Sequence, residues 1–544
     1  MVVVKPVKSS PGWLHSLRLR LTGVRAKPAA LALHAPRFKW SLALKAVLCG
    51  LVAGILVVLY RKGVSYGTAF ARCAYSLILQ RPLLALPWVA AAVAVGLFVA
   101  WLIKLVPMAS GSGIPQVEGV VLWGLRMRAL PVLAVRYTGG FLCALFGMSL
   151  GREGPSIQIG AAGSQVASRG MRQGNDAENY LVTAGAAAGL SAAFNAPLSG
   201  MVFALEEIHR SFSPVILLSA AAASLSADFV SKNWFGLRPV LDFTAMPMLS
   251  VPEYLLMIPL GLIAGLVGSA CNRLLLGAQD AYGVLPAWSR TVVAFLIALP
   301  VGIFLPAVLG GGEDLIGLAE RTHEVSPSVA SNLLLLLVVK MMFTAVCFGS
   351  GAPGGIFMPI LAVGTLTGGL CGVGAVALGM PVRMISVFAV CAMAGALTAS
   401  VKAPVTSILL TVEMSGSLVH MLPVALCAFT ALLVSDLLKV RPIYEALLER
   451  SMRRRRQGQK EGAPPSALGV VTMEFVVEYG SRVAGRRIGQ VDWPGDAVVV
   501  GLRRGDEDMV PTPERRLLAG DYIYLLFDGR RLPHIRNAMA DMCR

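Results

Sequence analysis

Gly151-Arg152-Glu153-Gly154-Pro155, continuing as Ser156-Ile157-Gln158-Ile159-Gly160, stands between an apolar run at 141–150 and a small-residue segment reaching Gly163. Proline is favoured in the first turn of a helix, because the N–H it lacks would have no intrahelical partner there. The flanking glycines let the backbone open and expose the first amides of that helix. Such amides, together with the helix dipole, form an anion site. Glu153 places a carboxylate where an anion would sit, and a tethered carboxylate that can take a proton is a competitor for a bound anion. The pentapeptide alone fits a structural helix cap equally well.

The surroundings are those of a membrane protein. The 544 residues are 56% hydrophobic and only 14% charged, against about 25% charged in a soluble chain. Charge-free apolar runs occupy 46–60, 82–103, 254–270, 291–309, 331–339, 356–382 and 421–434, and a membrane helix needs roughly 20 such residues. The expected class is an all-α polytopic membrane protein. A net charge of +18 raises the question of nucleic acid, but its location points elsewhere. Lys and Arg crowd residues 5–39 and 450–456. Basic flanks mark the cytoplasmic side of membrane spans, so both termini are expected in the cytoplasm and the protein in the plasma membrane, with no nucleic-acid partner. The basic start lacks the short apolar core and cleavage site of a signal peptide. The nine cysteines are scattered without CxxC spacing, which reads as free thiols rather than a metal or disulfide framework; no metal or cofactor is expected.

Four divisions are expected. Residues 1–40 form a basic segment with a surface helix around 12–21, 41–446 the membrane domain, and 447–467 a basic linker. Residues 468–544 form a small soluble α+β domain. Within the membrane part the sequence repeats. Gly151-x-x-x-Pro155-x-x-x-x-Gly160 recurs 204 positions later as Gly355-x-x-x-Pro359-x-x-x-x-Gly364, and the same offset pairs Arg136 with Lys340 and Cys143 with Cys347. Ala196-Pro197 through Glu206 recurs 207 positions on, as Ala403-Pro404 through Glu413. Two related halves follow, about 41–230 and 251–440. Glycine- and proline-broken helices at matching places in two halves are how transporters aim helix N-termini at a midplane anion. An odd number of crossings per half would invert one against the other and agrees with two cytoplasmic termini.

Four segments converge on one site in this reading: Gly111-Ser112-Gly113-Ile114-Pro115, the Glu153 segment, Gly354-Gly355-Ile356-Phe357-Met358-Pro359, and Tyr444 just past Arg441-Pro442. Neutral hydroxyls and amides suit an anion that must leave quickly, whereas a contacting Lys or Arg would hold it too tightly. In this order the segments resemble the CLC family of chloride channels and chloride/proton antiporters, over about residues 41–446.

The resemblance implies the CLC fold, with two inverted-topology repeats and broken helices, and a homodimer in the lipid bilayer. Chloride would meet the Ser112 and Tyr444 hydroxyls and the Ile356 and Phe357 amides. Glu153 would be the gating glutamate carrying the proton on the outer side, with Arg152 and Arg136 raising the potential along the anion route. A serine rather than a proline at Ser112 resembles the chloride-preferring form. Glu207, ten residues after Pro197, matches the inner proton glutamate of the family's antiporters. Glu206-Glu207 would end a small-residue helix beginning near Ala184. Adjacent helical residues point about 100° apart, so only one of the two can face an interior path; a solvated helix end paired with Arg210 is the other reading of Glu207. Ionisable groups inside spans are costly and mostly functional, which brings in Glu118 and Glu413, both expected as structural partners of basic residues. Gln116 stands where some relatives carry an acid.

The expected function is chloride/proton exchange. A passive chloride channel of the same fold is the near alternative. A hydrolase using Ser112 would need a base, and none of the six histidines lies in a clear span; a membrane anchor for the C-terminal domain is a further alternative. That tail reads as strands over 470–478, 497–503 and 521–527, with turns at 505–506 and 520–521. Over 472–528 it resembles the TrkA-type regulatory domain, which leaves room for a ligand of unidentified kind.

Overall fold

A computed structural model describes residues 36–543 apart from 238–240, 242, 244–245, 321–325, 459–469, 496, 506 and 529–530. The surface helix expected over 12–21 lies outside the described residues. The chain divides into one unit over Leu42–Gly462 and another that takes in Ala463–Arg544.

The first unit is helical throughout. Its first half holds α1 (Pro36–Gln80), α2 (Ala85–Leu105), α3 (Ile114–Trp123), α4 (Ala129–Leu145), α5 (Glu153–Gly170), α6 (Asn175–Phe194), α7 (Pro197–Phe203) and α8 (Pro214–Phe235). The second holds α9 (Met257–Gly283), α10 (Ala287–Phe304), α11 (Glu313–Glu320), α12 (Pro327–Gly349), α13 (Phe357–Ala377), α14 (Met384–Val401), α15 (Pro404–Ser415) and α16 (Met421–Leu437), and α17 (Ile443–Gly458) follows. Among the described residues nine helical stretches are long and apolar enough to cross a membrane. Two of them, Pro214–Phe235 and Met384–Val401, are missing from the apolar runs read above. The first is interrupted by Asp228 and Lys232, which neutralise each other at 2.7 Å. The linker expected from residue 447 is also different, since α17 carries the chain through the arginine run to Gly458.

The two halves correspond helix by helix, α1 with α9 through to α8 with α16, and the packing repeats as well. Gly50 and Gly54 of α1 sit on the backbone of Ala223 and Ala227 in α8; Gly261 and Gly265 of α9 sit on Cys427 and Ala431 in α16. Small residues permit this backbone approach where lipid offers helices no hydrophobic driving force. The halves meet through reciprocal bonds. Gly151 N–H donates to Gly355 O and Gly355 N–H to Gly151 O, both at 2.7 Å. The Glu206 carboxylate accepts from Val405 N (3.2 Å), Thr406 N and Thr406 Oγ1 (both 2.7 Å) at the start of α15. Glu413 does the same at the start of α7, accepting from Leu198 N (3.0 Å), Ser199 N (2.7 Å) and Ser199 Oγ. Residues that match in the repeat thus swap roles across the interface, as a local two-fold relation requires. Glu413 was expected to pair with a basic residue. It caps a helix instead, because the free amides and positive dipole end of α7 supply the charge complement.

A further match escaped the sequence reading because its offset is 199. Pro107–Ala109 and Pro306–Val308 are both single 3-10 turns. Gly111 and Gly310 share φ +65°, and Gly113 (+101°) corresponds to Gly312 (+108°). The short α11 is therefore the counterpart of α3.

In the second unit β1 (Val470–Val476), β2 (Val498–Arg504), β3 (Glu507–Met509) and β4 (Tyr522–Asp528) form an antiparallel sheet in the order β1-β4-β2-β3, followed by α18 (Leu532–Cys543). The three expected strands are present; β3 and α18 were not read from the sequence. Leu502, Ile523, Leu525 and Phe527 face a core completed by Ile535 and Met539 of α18.

Candidate functional site

Helix starts build the site. Gly113, at φ +101°, turns the chain so that α3 begins at Ile114 with Pro115 in its first turn. A side chain on Gly113 would meet Gly154 O at 2.9 Å, and one on Gly154 would meet Ser112 Oγ at 2.5 Å and Ser112 O at 2.6 Å. The starts of α3 and α5 are thus in direct contact. A Cβ on Gly151 would lie 3.1 Å from Pro359 Cδ, and one on Gly355 3.0 Å from Gly154 N, which adds the start of α13. Ile356 is the N-cap of α13 and Phe357 its first residue, positions whose amides have no intrahelical acceptor.

The polar atoms collected here are buried. Ser112 is 2% and Tyr444 0% exposed. Their hydroxyls lie side by side, and by distance and angle neither Ser112 Oγ nor Tyr444 OH makes a hydrogen bond. Glu153, 1% exposed, has no hydrogen-bond partner on either carboxylate oxygen. Buried polar atoms are paired in nearly all cases, so the Ser112 and Tyr444 hydroxyls are available to a bound ion or water. Two hydroxyls and helix-start amides can donate together to one anion. Tyr444 is close enough to feel the charge of both Glu153 and Glu207.

Glu207 is 4% exposed, with Oε1 unpartnered. The local fold differs from the single helix expected from Ala184. The chain breaks at Asn195, which is left-handed at φ +55°, restarts as α7, and ends in a π-turn over Ala204–Ile208 with His209 N–H reaching Ala204 O at 2.9 Å. This π-turn is of a kind frequent at functional sites. It sends Glu206 to the α15 cap and Glu207 inward. Arg210 pairs with Glu118 at 3.0 Å and lies 3.8 Å from Glu445, so the solvated Glu207–Arg210 pair is not what forms.

Arg136 is fully buried. It donates from Nε to Gln158 and from Nη1 to Gly111 O, holding the loop that carries Ser112. Lys340, its mate in the repeat, does the same for the matching loop through Val308 O (2.9 Å) and Gly310 O (2.8 Å). Arg152 reaches Glu313 Oε1 at 2.6 Å. Gln116 Nε2 donates to Ser110 O at 2.7 Å. A cavity of about 610 Å³ adjoins the loop, lined among others by Ser110, Ser112, Gln116, Lys104, Arg290 and Arg450. The sequence reading pairs Lys340 with Arg136 but misses Glu313 and this basic vestibule; the 199-residue repeat is the signal for Glu313.

Comparison with known proteins agrees with this geometry. The family profile described as "Voltage gated chloride channel" matches residues 95–436, and the TrkA-C domain profile matches residues 472–540. The H(+)/Cl(-) exchange transporter ClcA of Cronobacter sakazakii is 34% identical over 440 residues, covering 77% of this chain and 92% of that protein. ClcA of Vibrio campbellii is 35% identical over 66% of this chain and 78% of its own. The crystal structure of a slow cyanobacterial Cl-/H+ antiporter superposes with a TM-score of 0.71 at 29% identity, covering 76% of this chain and 99% of that one. With helices broken at the same repeated motifs and a family match over most of its membrane unit, this chain belongs to the voltage-gated chloride channel family, the CLC family, and carries a TrkA-C domain after it.

Proposed function

We propose that this chain is a multi-pass membrane transporter that exchanges chloride for protons. The observation that carries this reading is the buried Glu153 carboxylate, with no hydrogen bond on either oxygen and Arg152 Nε 3.6 Å away, at a helix start packed on the Ser112 loop. A charged carboxylate at the start of α5 satisfies helix-start amides that an anion would otherwise take. Protonation removes its charge and releases that position, so chloride entry and proton uptake become alternatives at one place. Chloride in the inner position accepts from Ser112 Oγ, Tyr444 OH and the Ile356 and Phe357 amides. Charge-assisted bonds from neutral donors hold it without an opposing fixed charge, which allows release.

The proton leaves Glu153 on the inner side by way of Glu207. Tyr444 feels the charge of both carboxylates, and the Glu207 atom left without a partner can accept the proton. Arg136 and Glu118 keep the scaffold in place through the Gly111 loop and Arg210. The working unit is a homodimer with both termini in the cytoplasm, the second point following from the basic flanks. The TrkA-C domain is a site for regulation by an unidentified ligand.

Purified protein in vesicles tests the assignment. Glu153→Ala is expected to keep chloride flux and lose proton movement, and Glu207→Gln to do the same with Glu153 intact. Proton pumping against a gradient in Glu153→Ala would remove Glu153 from the proton route.

A further inference from the structure

Three charged groups share the outer edge of the site. Arg152 follows Gly151 directly and precedes Glu153, yet its guanidinium is bonded elsewhere. Nη2 lies 2.6 Å from Glu313 Oε1, and Nη1 donates to Ser65 Oγ at 3.1 Å. Nε stops 3.6 Å from Glu153 Oε1 and has no hydrogen-bond partner. The side chains are 10% exposed for Arg152, 1% for Glu153 and 46% for Glu313. A small rotation of Arg152 would turn its near approach to Glu153 into a forked pair, the geometry guanidinium and carboxylate favour.

The placement of Glu313 explains why that rotation does not occur. It is the first residue of α11, the counterpart of Ile114 in α3. The turn that precedes it repeats the Gly111–Gly113 turn in both positive φ values. One half therefore offers an uncharged residue at this place and the other offers a carboxylate, favoured at a helix start by the dipole. The next residue, Asp314, is committed to Arg72 of α1, so the two acids hold two different guanidinium groups.

We propose that Glu313 is a positioning residue that anchors the Arg152 guanidinium at the outer mouth and holds its approach to Glu153 at 3.6 Å, short of a hydrogen-bonded pair. The role rests on the reading of Glu153 as the outer proton and gating carboxylate. The other charged and titratable groups around Glu153 are Tyr60 and Arg61 from α1 and Tyr444 from α17, with Arg136 of α4 beside Tyr60. Arg61 is held by Ala192 O and by Ser231 Oγ at 2.9 Å, and Arg136 by Gln158 and Gly111 O. Neither anchor involves Glu313. Arg152 is the cation whose position a change at Glu313 alters.

The sign follows directly. Once released, Arg152 approaches Glu153 and favours its ionised form, and loss of the nearby Glu313 charge acts in the same direction. Exchange would then need a more acidic medium. The test uses full-length protein in vesicles, with chloride flux measured from pH 4 to 8. In Glu313→Gln the pH of half-maximal flux is expected to fall by about one unit, a tenfold change equivalent to about 1.4 kcal/mol. Glu313→Asp is expected to shift it less, in the same direction, and serves if the Gln variant fails to fold. Asp314→Asn, which breaks only the Arg72 pair, is expected to leave the profile in place. In an Arg152→Gln background the Glu313→Gln shift is expected to shrink to less than half. An unchanged profile in the Glu313 variants, or an equal shift without Arg152, overturns the anchoring role. Wild-type protein that moves chloride without protons would instead refute the exchanger reading on which it rests.

Discussion

Replacing Gly154 by alanine tests whether the Ser112 hydroxyl, packed against the start of α5, binds the anion. The added methyl would fall 2.5 Å from Ser112 Oγ and 2.6 Å from Ser112 O, about 1 Å inside ordinary contact. The hydroxyl can rotate away, but the carbonyl cannot. Its loop is tied down by Gly111 N–H to Gly351 O and Gly354 N–H to Gly111 O, both at 3.2 Å, and by Arg136 on Gly111 O. Either α5 backs off or the loop distorts, and overpacking of this kind costs about 1–3 kcal/mol. Losing one charge-assisted bond to the anion costs about 1.5–3 kcal/mol. Chloride affinity should therefore fall at least about tenfold, the equivalent of roughly 1.4 kcal/mol. Calorimetric titration of chloride into the detergent-purified protein measures it. Gly170→Ala is the control, since a side chain there meets nothing within 4 Å. A folded Gly154→Ala protein that binds chloride as the wild type does would refute the placement of the Ser112 hydroxyl on the anion.

Two further predictions concern stability. Glu206→Ala and Glu413→Ala each remove the cap from a helix start in the opposite half. Each should cost about 1–2 kcal/mol, read as a lower thermal midpoint in detergent, and an unchanged midpoint in both would contradict the reciprocal capping. In the TrkA-C domain buried Asp521 accepts from Arg504 Nε and Nη2 at 2.8 Å each and from Leu518 N at 2.7 Å, and its hydrogen bond holds the Arg504 guanidinium above its usual range. Burial pushes the Cys543 thiol up to about 11, so alkylation should be slow at neutral pH because the thiolate is the nucleophile. Asp521→Asn should destabilise the domain by about 1–3 kcal/mol and speed that labelling without altering chloride binding. Equal labelling rates would show that Asp521 is not structural.

Much of this architecture is legible in the chain because the physics that forces it is local. Gly113, Gly154 and Gly355 must be glycine where helix starts touch, and Pro115, Pro155 and Pro359 mark those starts. Motifs of this kind repeat, so the two halves can be read from spacing alone. What was not legible depends on partners distant in sequence. Glu413 looks like an intramembrane acid in need of a cation, and only the fold brings the α7 amides to it. The π-turn at 204–208 has no local signal, since its residues fit an α-helix equally well. Pro214–Phe235 was passed over because Asp228 and Lys232 break the hydropathy, although one helical turn places them together. Glu313 stayed hidden because the α3–α11 match is offset by 199 while the motifs around it are offset by 204 and 207.

The central claim is that one carboxylate couples chloride to protons. The most direct test reconstitutes the wild-type protein in vesicles, imposes a chloride gradient at equal pH, and records internal pH and chloride together. The account predicts protons moving in fixed proportion to chloride and building a pH gradient. Chloride moving with no proton flux would contradict it and make the protein a passive conductor of the same fold.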